Sequence, residues 1–299
     1  MSRRFVRLSI AALLATISAF SVAQTAPVAP ARMAGPPTYS SESTNFIERW
    51  QARVSATQAQ QPKWIAPVFS PFPFLVQLGR TEFTRQVSTT HATTWNLGSS
   101  RGLNLIPLKN TEIDILIPPF FEHDTKAFDG FGDFGLAGKY RLLSGNEAHG
   151  SYVVSALLNA TVPTGSYGNG ASDATLTPAL SGGKGFGKVD AFTTLGGTLP
   201  TGGVKTIGRT INSNSVVQYH VQKYLWPELE INTTAYYGGT KDGKIQTFLT
   251  PAVMIGKYAL RMKDNDSRLG VAAGAGFQVA ATTYHPYNHS LIFTSRIIF

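Results

Sequence analysis

The sequence predicts an all-β fold: an antiparallel transmembrane β-barrel of about 12 strands, an even number as bacterial barrels require, behind an N-terminal signal peptide and a short periplasmic extension. Three observations predict it. The segment His289–Phe299 alternates with a period of two, with Leu291, Phe293, Ile297 and Phe299 on one face and Ser290, Ile292, Thr294, Arg296 and Ile298 on the other. Such a segment matches the ~9–11 residues of a transmembrane strand and the apolar-out, polar-in alternation of a membrane barrel. Only 14% of the 299 residues are charged, yet mean hydropathy is near zero. The chain is therefore apolar on alternate residues rather than in blocks. From residue 74 onward, turn chemistry divides it into segments of roughly 10–13 residues, as strands are divided.

Composition narrows the class further. Apart from the leader, no run approaches the ~18 apolar residues of a transmembrane helix. Closed strands are the remaining way to span a bilayer, because every backbone polar group must be paired inside lipid. Cysteine is absent, which excludes disulfides, a Cys-based zinc site and a lipoprotein anchor. The net charge is +9; removing Arg3, Arg4 and Arg7 of the leader leaves 9 − 3 = +6. The basic residues form no block, which argues against a nucleic-acid partner.

In chain order, residues 1–23 read as a cleaved signal peptide. Arg3, Arg4 and Arg7 precede the apolar stretch Leu8–Ile17, and Ser21-Val22-Ala23 has the small-x-small pattern of a cleavage site. Residues 24–73 form the flexible extension, opening with an Ala/Pro/Ser/Thr-rich linker at 24–42. A short helix is expected at 44–58, capped by Thr44, with Phe46, Ile47, Trp50 and Val54 on one face. It is expected in the periplasm, on the membrane surface or inside the barrel mouth. Pro62, Pro67, Pro71 and Pro73 precede the first strand.

The barrel is assigned to 74–299, with strands near 74–86, 93–106, 111–121, 131–142, 150–162, 174–185, 188–199, 211–222, 228–237, 245–258, 268–280 and 290–299. Ile113, Ile115 and Ile117 oppose Glu112 and Asp114; Leu136 and Tyr140 oppose Asp133, Lys139 and Arg141; Leu158 and Val162 oppose Ser155 and Asn159. Val217 and Tyr219 oppose Gln218 and His220, and Leu229 and Ile231 oppose Glu228 and Glu230. The first strand and 245–258 alternate poorly. The expected lumen-facing set is Glu112, Asp114, Asp133, Lys139, Arg141, Asn159, Asp190, Gln218, His220, Glu228, Glu230 and Arg296. These side chains either fill a narrow barrel with ion pairs and hydrogen bonds or line a polar passage. Tyr152, Trp226 and Tyr237 are expected near the membrane interfaces.

Several motifs invite a chemical reading that their context opposes. Gly130-Phe-Gly-Asp-Phe-Gly135 fits a dinucleotide-binding pattern, but strand alternation follows it where that mechanism needs a helix. Gly182-Gly-Lys-Gly-Phe-Gly-Lys188 is followed by Val189 rather than a magnesium-holding Ser or Thr, and reads as a hairpin. His285 and His289 flank Pro286, which disfavours the helix that would make them paired metal ligands. His289 and Ser290 are adjacent on a strand, so they point to opposite faces and make a poor catalytic pair. No cofactor, metal site or enzymatic activity is expected.

Two resemblances add to this reading. In Gram-negative bacteria a terminal Phe on an amphipathic strand is the address read by the barrel-assembly machinery, and Phe293, Ile297 and Phe299 resemble that signal. The run from Gly130 to Leu143, the Pro-Thr-Gly corners at Pro163 and Pro200, Leu225–Asn232, Phe248–Pro251 and the Asn288–Phe293 tail resemble an outer-membrane family catalogued under the MetA pathway of phenol degradation. That resemblance implies an outer-membrane barrel, surrounded by outer-membrane lipid and loosely linked to uptake of aromatic or other small organic compounds; the function expected is to pass or bind small organic, aromatic or hydrophobic, solutes by passive diffusion. A structural barrel with a filled lumen and a barrel lipid hydrolase are the alternatives.

Overall fold

The structure, a computed structural model, describes residues 45–260 and 268–299. The expected signal peptide, the 24–42 linker, the Thr44 cap and most of the 259–267 connection lie outside the described residues. The rest folds as one closed antiparallel barrel of 12 strands. β1 (Leu78–Val87) is followed by β2, built from Thr93–Leu97 and Gly102–Leu108, β3, from Thr111–Leu116 and Phe120–His123, and β4, from Gly130–Phe131 and Phe134–Gly145. Then come β5 (Tyr152–Val162), β6 (Thr175–Phe186), β7 (Val189–Pro200), β8 (Arg209–Tyr219), β9 (Leu225–Tyr237), β10 (Ile245–Ala259), β11 (Gly270–Ala280) and β12 (His289–Ile298). Each strand pairs with its sequence neighbours. β12 closes the barrel on β1 in unbroken register from Leu78↔Ile298 to Val87↔His289. Closure leaves no sheet edge.

We call the end where β1 starts and β12 finishes the near end. Short connections such as Lys109-Asn110 and Gly187-Lys188 lie there. The outward positions carry exposed apolar residues: Phe83, Ile113, Leu136, Tyr140, Leu158, Val217, Leu229, Phe293 and Ile297 among them. The alternating positions are buried. In β12 these are Ser290, Ile292, Thr294 and Arg296.

The ladder breaks at one level across three neighbouring strands. Pro118 and Pro119 interrupt β3 because neither has an N–H to donate. Next to them, Gly98, Ser99 and Ser100 take positive φ values of 103°, 49° and 51°. In β4 the break is at Gly132, where a Cβ would meet the Phe121 ring at 2.9 Å. Pairing is carried across by Ile117 N–H to Arg101 O (3.2 Å) and Gly132 N–H to Pro119 O (2.8 Å).

The barrel encloses its own N-terminal segment. One helix, α1 (Phe46–Gln58), presents Trp50, Val54 and Thr57, spaced i, i+4, i+7, toward the barrel. Val54 is fully buried against Leu75 and Ile106. Phe46 and Ile47, expected on that same face, are exposed. The stretch from Gln61 to Gln77 then runs through the lumen. This corrects two expectations. Residues 62–73 are not a free extension, and β1 begins at Leu78 rather than near 74. Phe74 and Leu75 are buried apolar residues of the enclosed segment, and a strand started at residue 74 therefore alternates poorly. From Leu78 onward Arg80, Glu82 and Thr84 face inward and Thr81 and Phe83 outward.

Candidate functional site

The lumen and the segment inside it form the site. Residues 62–76 carry Pro62, Pro67, Pro71 and Pro73 and make no ladder of their own. Their buried backbone groups therefore need partners from the wall. The wall supplies them by charge. Carboxylates take the N–H groups: Glu228 accepts from Val68 (2.7 Å), and Glu230 accepts from Phe69 (2.8 Å) and Ser70 (2.6 Å). Cations take the carbonyls: Arg80 donates to Val68 O (2.6 Å) and Pro67 O (3.2 Å), Arg101 to Phe69 O (2.6 Å), and Arg296 to Ala66 O and Pro67 O. Further along, Lys139 donates to Phe74 O (3.1 Å), Glu112 accepts from Val76 N–H, and Ser155 donates to Pro73 O (2.5 Å). Buried charges are costly unless paired and hydrogen-bonded. Here they are paired with one another as well: Arg80 and Arg101 with Glu82, and Lys139 with Glu112 at 2.8 Å.

Two polar clasps complete the seal at the near end. Arg141 donates to Thr57 O (2.7 Å), Gln61 Oε1 (3.1 Å) and Asn110 Oδ1 (2.6 Å), tying the end of α1 to the wall. Gln61 uses its amide like a strand edge, accepting from Leu75 N–H (2.9 Å) and donating to Leu75 O (2.7 Å). Arg268, on the connection before β11, donates to Ser55 Oγ (2.8 Å) and Gln58 Oε1 (3.0 Å); burial lowers its pKa from the ordinary arginine value.

Apolar contacts flank this polar grip. Trp64, Phe72 and Phe74 pack with Val153, Phe192 and Val216 of the wall, and Trp64 stacks on Phe192 at 6.0 Å. A Cβ at Gly183 would come within 2.9 Å of the Trp64 ring, so the glycine run of β6 makes room for the segment. Val68 packs with Trp226, Met254, Ala272 and Ile292. Trp226, expected at a membrane interface, is therefore an inward residue, on the same face of β9 as Glu228 and Glu230. The weak alternation of β10 has the same cause. Phe248, Thr250 and Met254 point inward, where the segment and the far loop offer apolar partners.

At the far end the loop 281–288 folds toward the lumen. Tyr287 stacks on Phe248 at 4.6 Å and donates to Gln278 Oε1 (2.5 Å), and burial raises its phenol pKa. His285 is occupied by Thr282 O (2.7 Å) and Asn288 Oδ1 (2.9 Å), so it does not pair with His289, whose ring lies against Phe277. The Ser290 hydroxyl donates to Leu291 O.

Of the residues expected to line the lumen, Glu112, Lys139, Arg141, Asp190, Gln218, Glu228, Glu230 and Arg296 are buried in it, and most of these grip the segment rather than border open space. Gln218 orients Glu228 (2.6 Å), and His220, just beyond β8, pairs with Asp190 beside Trp226. Asp114 and Asn159 border the remaining cavity. Asp133 is a correction. It lies in the break of β4, and its carboxylate accepts from Gly165 N–H (2.9 Å) and Ala171 N–H (2.7 Å), so it fixes a far-end loop. Arg80, Glu82, Arg101 and Gln278 are inward groups the sequence reading missed, whereas Asn232 lies inward as its alternation with Ile231 indicates. For Arg80 and Glu82 the signal was present, as a charged i, i+2 pair, but was hidden by the misplaced start of β1.

A cavity of about 250 Å³ remains on the far-end side of the segment, over Ser70, Pro71 and Phe72. Among the described residues there is no cluster of His, Asp or Glu suited to hold a metal ion.

The fold is similar to that of a crystal structure of an outer membrane channel from Pseudomonas putida F1, at a TM-score of 0.52 and 14% identity, covering 79% of this chain and 100% of that one. At that identity the likeness bears on fold alone. No family model matches the chain, and no curated protein matches it. Fold and lumen together define the class: a closed antiparallel barrel with an apolar exterior, a polar interior and an internal chain segment.

Proposed function

We propose that this chain is an outer-membrane channel for small organic solutes, closed at rest by residues 61–77 and opened when that segment leaves the lumen. The observation that carries the reading is the filling itself. A chain segment joined to the wall at one end runs through the lumen and is held by inward side chains along its length. Passage is by diffusion, guided by the polar wall the segment uncovers. The similarity to an outer membrane channel supports the location, with the near end in the periplasm and the loops outside. The motif resemblance to the phenol-degradation family favours aromatic or hydrophobic solutes. In this reading Phe293 and Ile297, outward and exposed, and the terminal Phe299 present the strand that the barrel-assembly machinery recognises.

The test uses the absence of native cysteine. A Cβ at Gly276 would lie 3.5 Å from Val68 Cγ1, one of the positions a cysteine sulfur at residue 68 can take, so Val68→Cys and Gly276→Cys are placed to be joined by a disulfide. Oxidised, this double variant should lose solute passage in liposome-swelling assays; reductant should restore it. Passage unaffected by oxidation would show that the segment need not move.

A further inference from the structure

We infer that the cavity above the enclosed segment binds one small uncharged solute, with an apolar body and a hydrogen-bond donor. The inference deepens the channel reading and rests on it for the site's place on a route through the wall.

Three features of the cavity select that chemistry. The first is charge. Arg80, Arg101 and Lys139 border it. Each is already neutralised: the two arginines by Glu82 and by segment carbonyls, the lysine by Glu112. The bordering carboxylate, Asp114, accepts from Asn104 at 2.6 Å. Three cations thus stand against the three carboxylates Glu82, Glu112 and Asp114. An ionised solute would be desolvated there without a counter-charge of its own, a costly transfer.

The second is the mixed lining. Asn159, Thr177, Asn212 and Asn214 contribute carboxamides and a hydroxyl, while Phe72, Leu116 and Leu157 contribute apolar surface. Most of the polar groups are engaged: Asn212 with Thr198 (3.1 Å), Asn214 with Asn232 (2.9 Å) and Thr177 with Thr198 (3.0 Å). The Asn159 Oδ1 is buried and accepts no hydrogen bond from the protein. A buried acceptor without a donor is unfavourable; a turn of the Asn159 carboxamide toward the cavity brings it to a solute O–H or N–H.

The third is size. At about 250 Å³, the cavity lies below the ~300–1,000 Å³ of pockets that hold drug-sized ligands. One ring or a short chain fits. Because Phe72 and Pro71 of the segment form part of the lining, the solute would touch both the wall and the element proposed to move.

The experiment compares three probes on one framework: cyclohexylmethanol, cyclohexanecarboxylate and cyclohexylmethylammonium. Binding to the full-length barrel in lipid nanodiscs is followed by saturation-transfer NMR and calorimetry. Cyclohexylmethanol should bind saturably at one site, and each charged probe at least tenfold more weakly. Asn159→Leu should weaken cyclohexylmethanol about tenfold. The near-isosteric Asn159→Asp should instead raise affinity for cyclohexylmethylammonium, a gain that a misfolded barrel could not give. Equal binding of the carboxylate and the alcohol, or full alcohol affinity in Asn159→Leu together with no gain in Asn159→Asp, would overturn the assignment. Saturable binding without passage in the reduced Val68→Cys/Gly276→Cys protein would leave the site and remove the channel reading. Passage without saturable binding would do the reverse.

Discussion

Glu230 holds two adjacent N–H groups of the enclosed segment, those of Phe69 and Ser70, with its two oxygens. Glu230→Ala leaves both donors unpaired in the lumen, at roughly 1–3 kcal/mol each. Because 1.4 kcal/mol is about tenfold in an equilibrium, the open fraction should rise by at least tenfold. Planar-bilayer recording should show this as higher mean conductance, while the SDS-resistant band on a gel stays in place. Glu230→Gln keeps one carbonyl acceptor and should fall between. Conductance equal to wild type in both variants would mean that Glu230 does not secure the segment. The sequence marks Glu228 and Glu230 as inward by their alternation with Leu229 and Ile231. It does not show that their partners are backbone groups some 160 residues earlier, because that pairing depends on closure of the barrel.

At the scale of elements, α1 depends on the wall. A helix of 13 residues is marginal by itself, since isolated helices below ~12–15 residues are barely stable in water. Its fixed points are Val54 against Leu75 and Ile106, the Trp50 indole on Gln77 (2.9 Å), and the Arg141 clasp on Thr57 O. Val54→Cys gives a single buried thiol. Maleimide labelling of that thiol should be slow, and at least tenfold faster after Arg141→Ala. Equal rates would show that the clasp does not hold the helix. The amphipathic face of α1 was partly legible: Trp50 and Val54 belong to it, whereas Phe46 and Ile47 do not. Periodicity finds an apolar stripe but not which part of it meets a wall. The strands were legible to within a few residues where one face met lipid and the other polar groups. In β10 the strand was legible but its facing was not: Phe248 and Met254 turn inward to apolar partners while Leu249 and Ile255 turn outward. Inward apolar residues on otherwise polar faces, such as Val153, Phe192, Val216 and Ile292, are the footprint of the enclosed segment.

For the whole molecule, the pairing of β1 with β12 closes the wall around the lumen, and Phe299 lies just past that seam. Its N–H donates to Gln77 O (3.3 Å), and its carbonyl accepts from Gln77 and Arg268. The terminal aromatic therefore joins the end of the barrel to the end of the enclosed segment. Phe299→Ala should lower the amount of heat-modifiable barrel in the outer-membrane fraction several-fold, and protein that does assemble should keep the wild-type gel shift. Unchanged assembly would count against Phe299 as part of the assembly signal. A protein of this chain found soluble, with no mobility change on heating, would remove the membrane reading altogether.

The sequence by itself determined the architecture. A period of two sustained through successive segments, turn residues between them and the lack of long apolar runs after residue 23 permit a closed barrel and little else. These are local properties, repeated strand by strand. Tertiary structure alone decided what occupies the lumen. The segment from Gln61 to Gln77 has no regular period, so nothing local shows where it goes. Its prolines and unpaired backbone groups find partners only when twelve strands bring Glu112, Glu228, Glu230, Arg80 and Arg296 to face one another across the enclosed space.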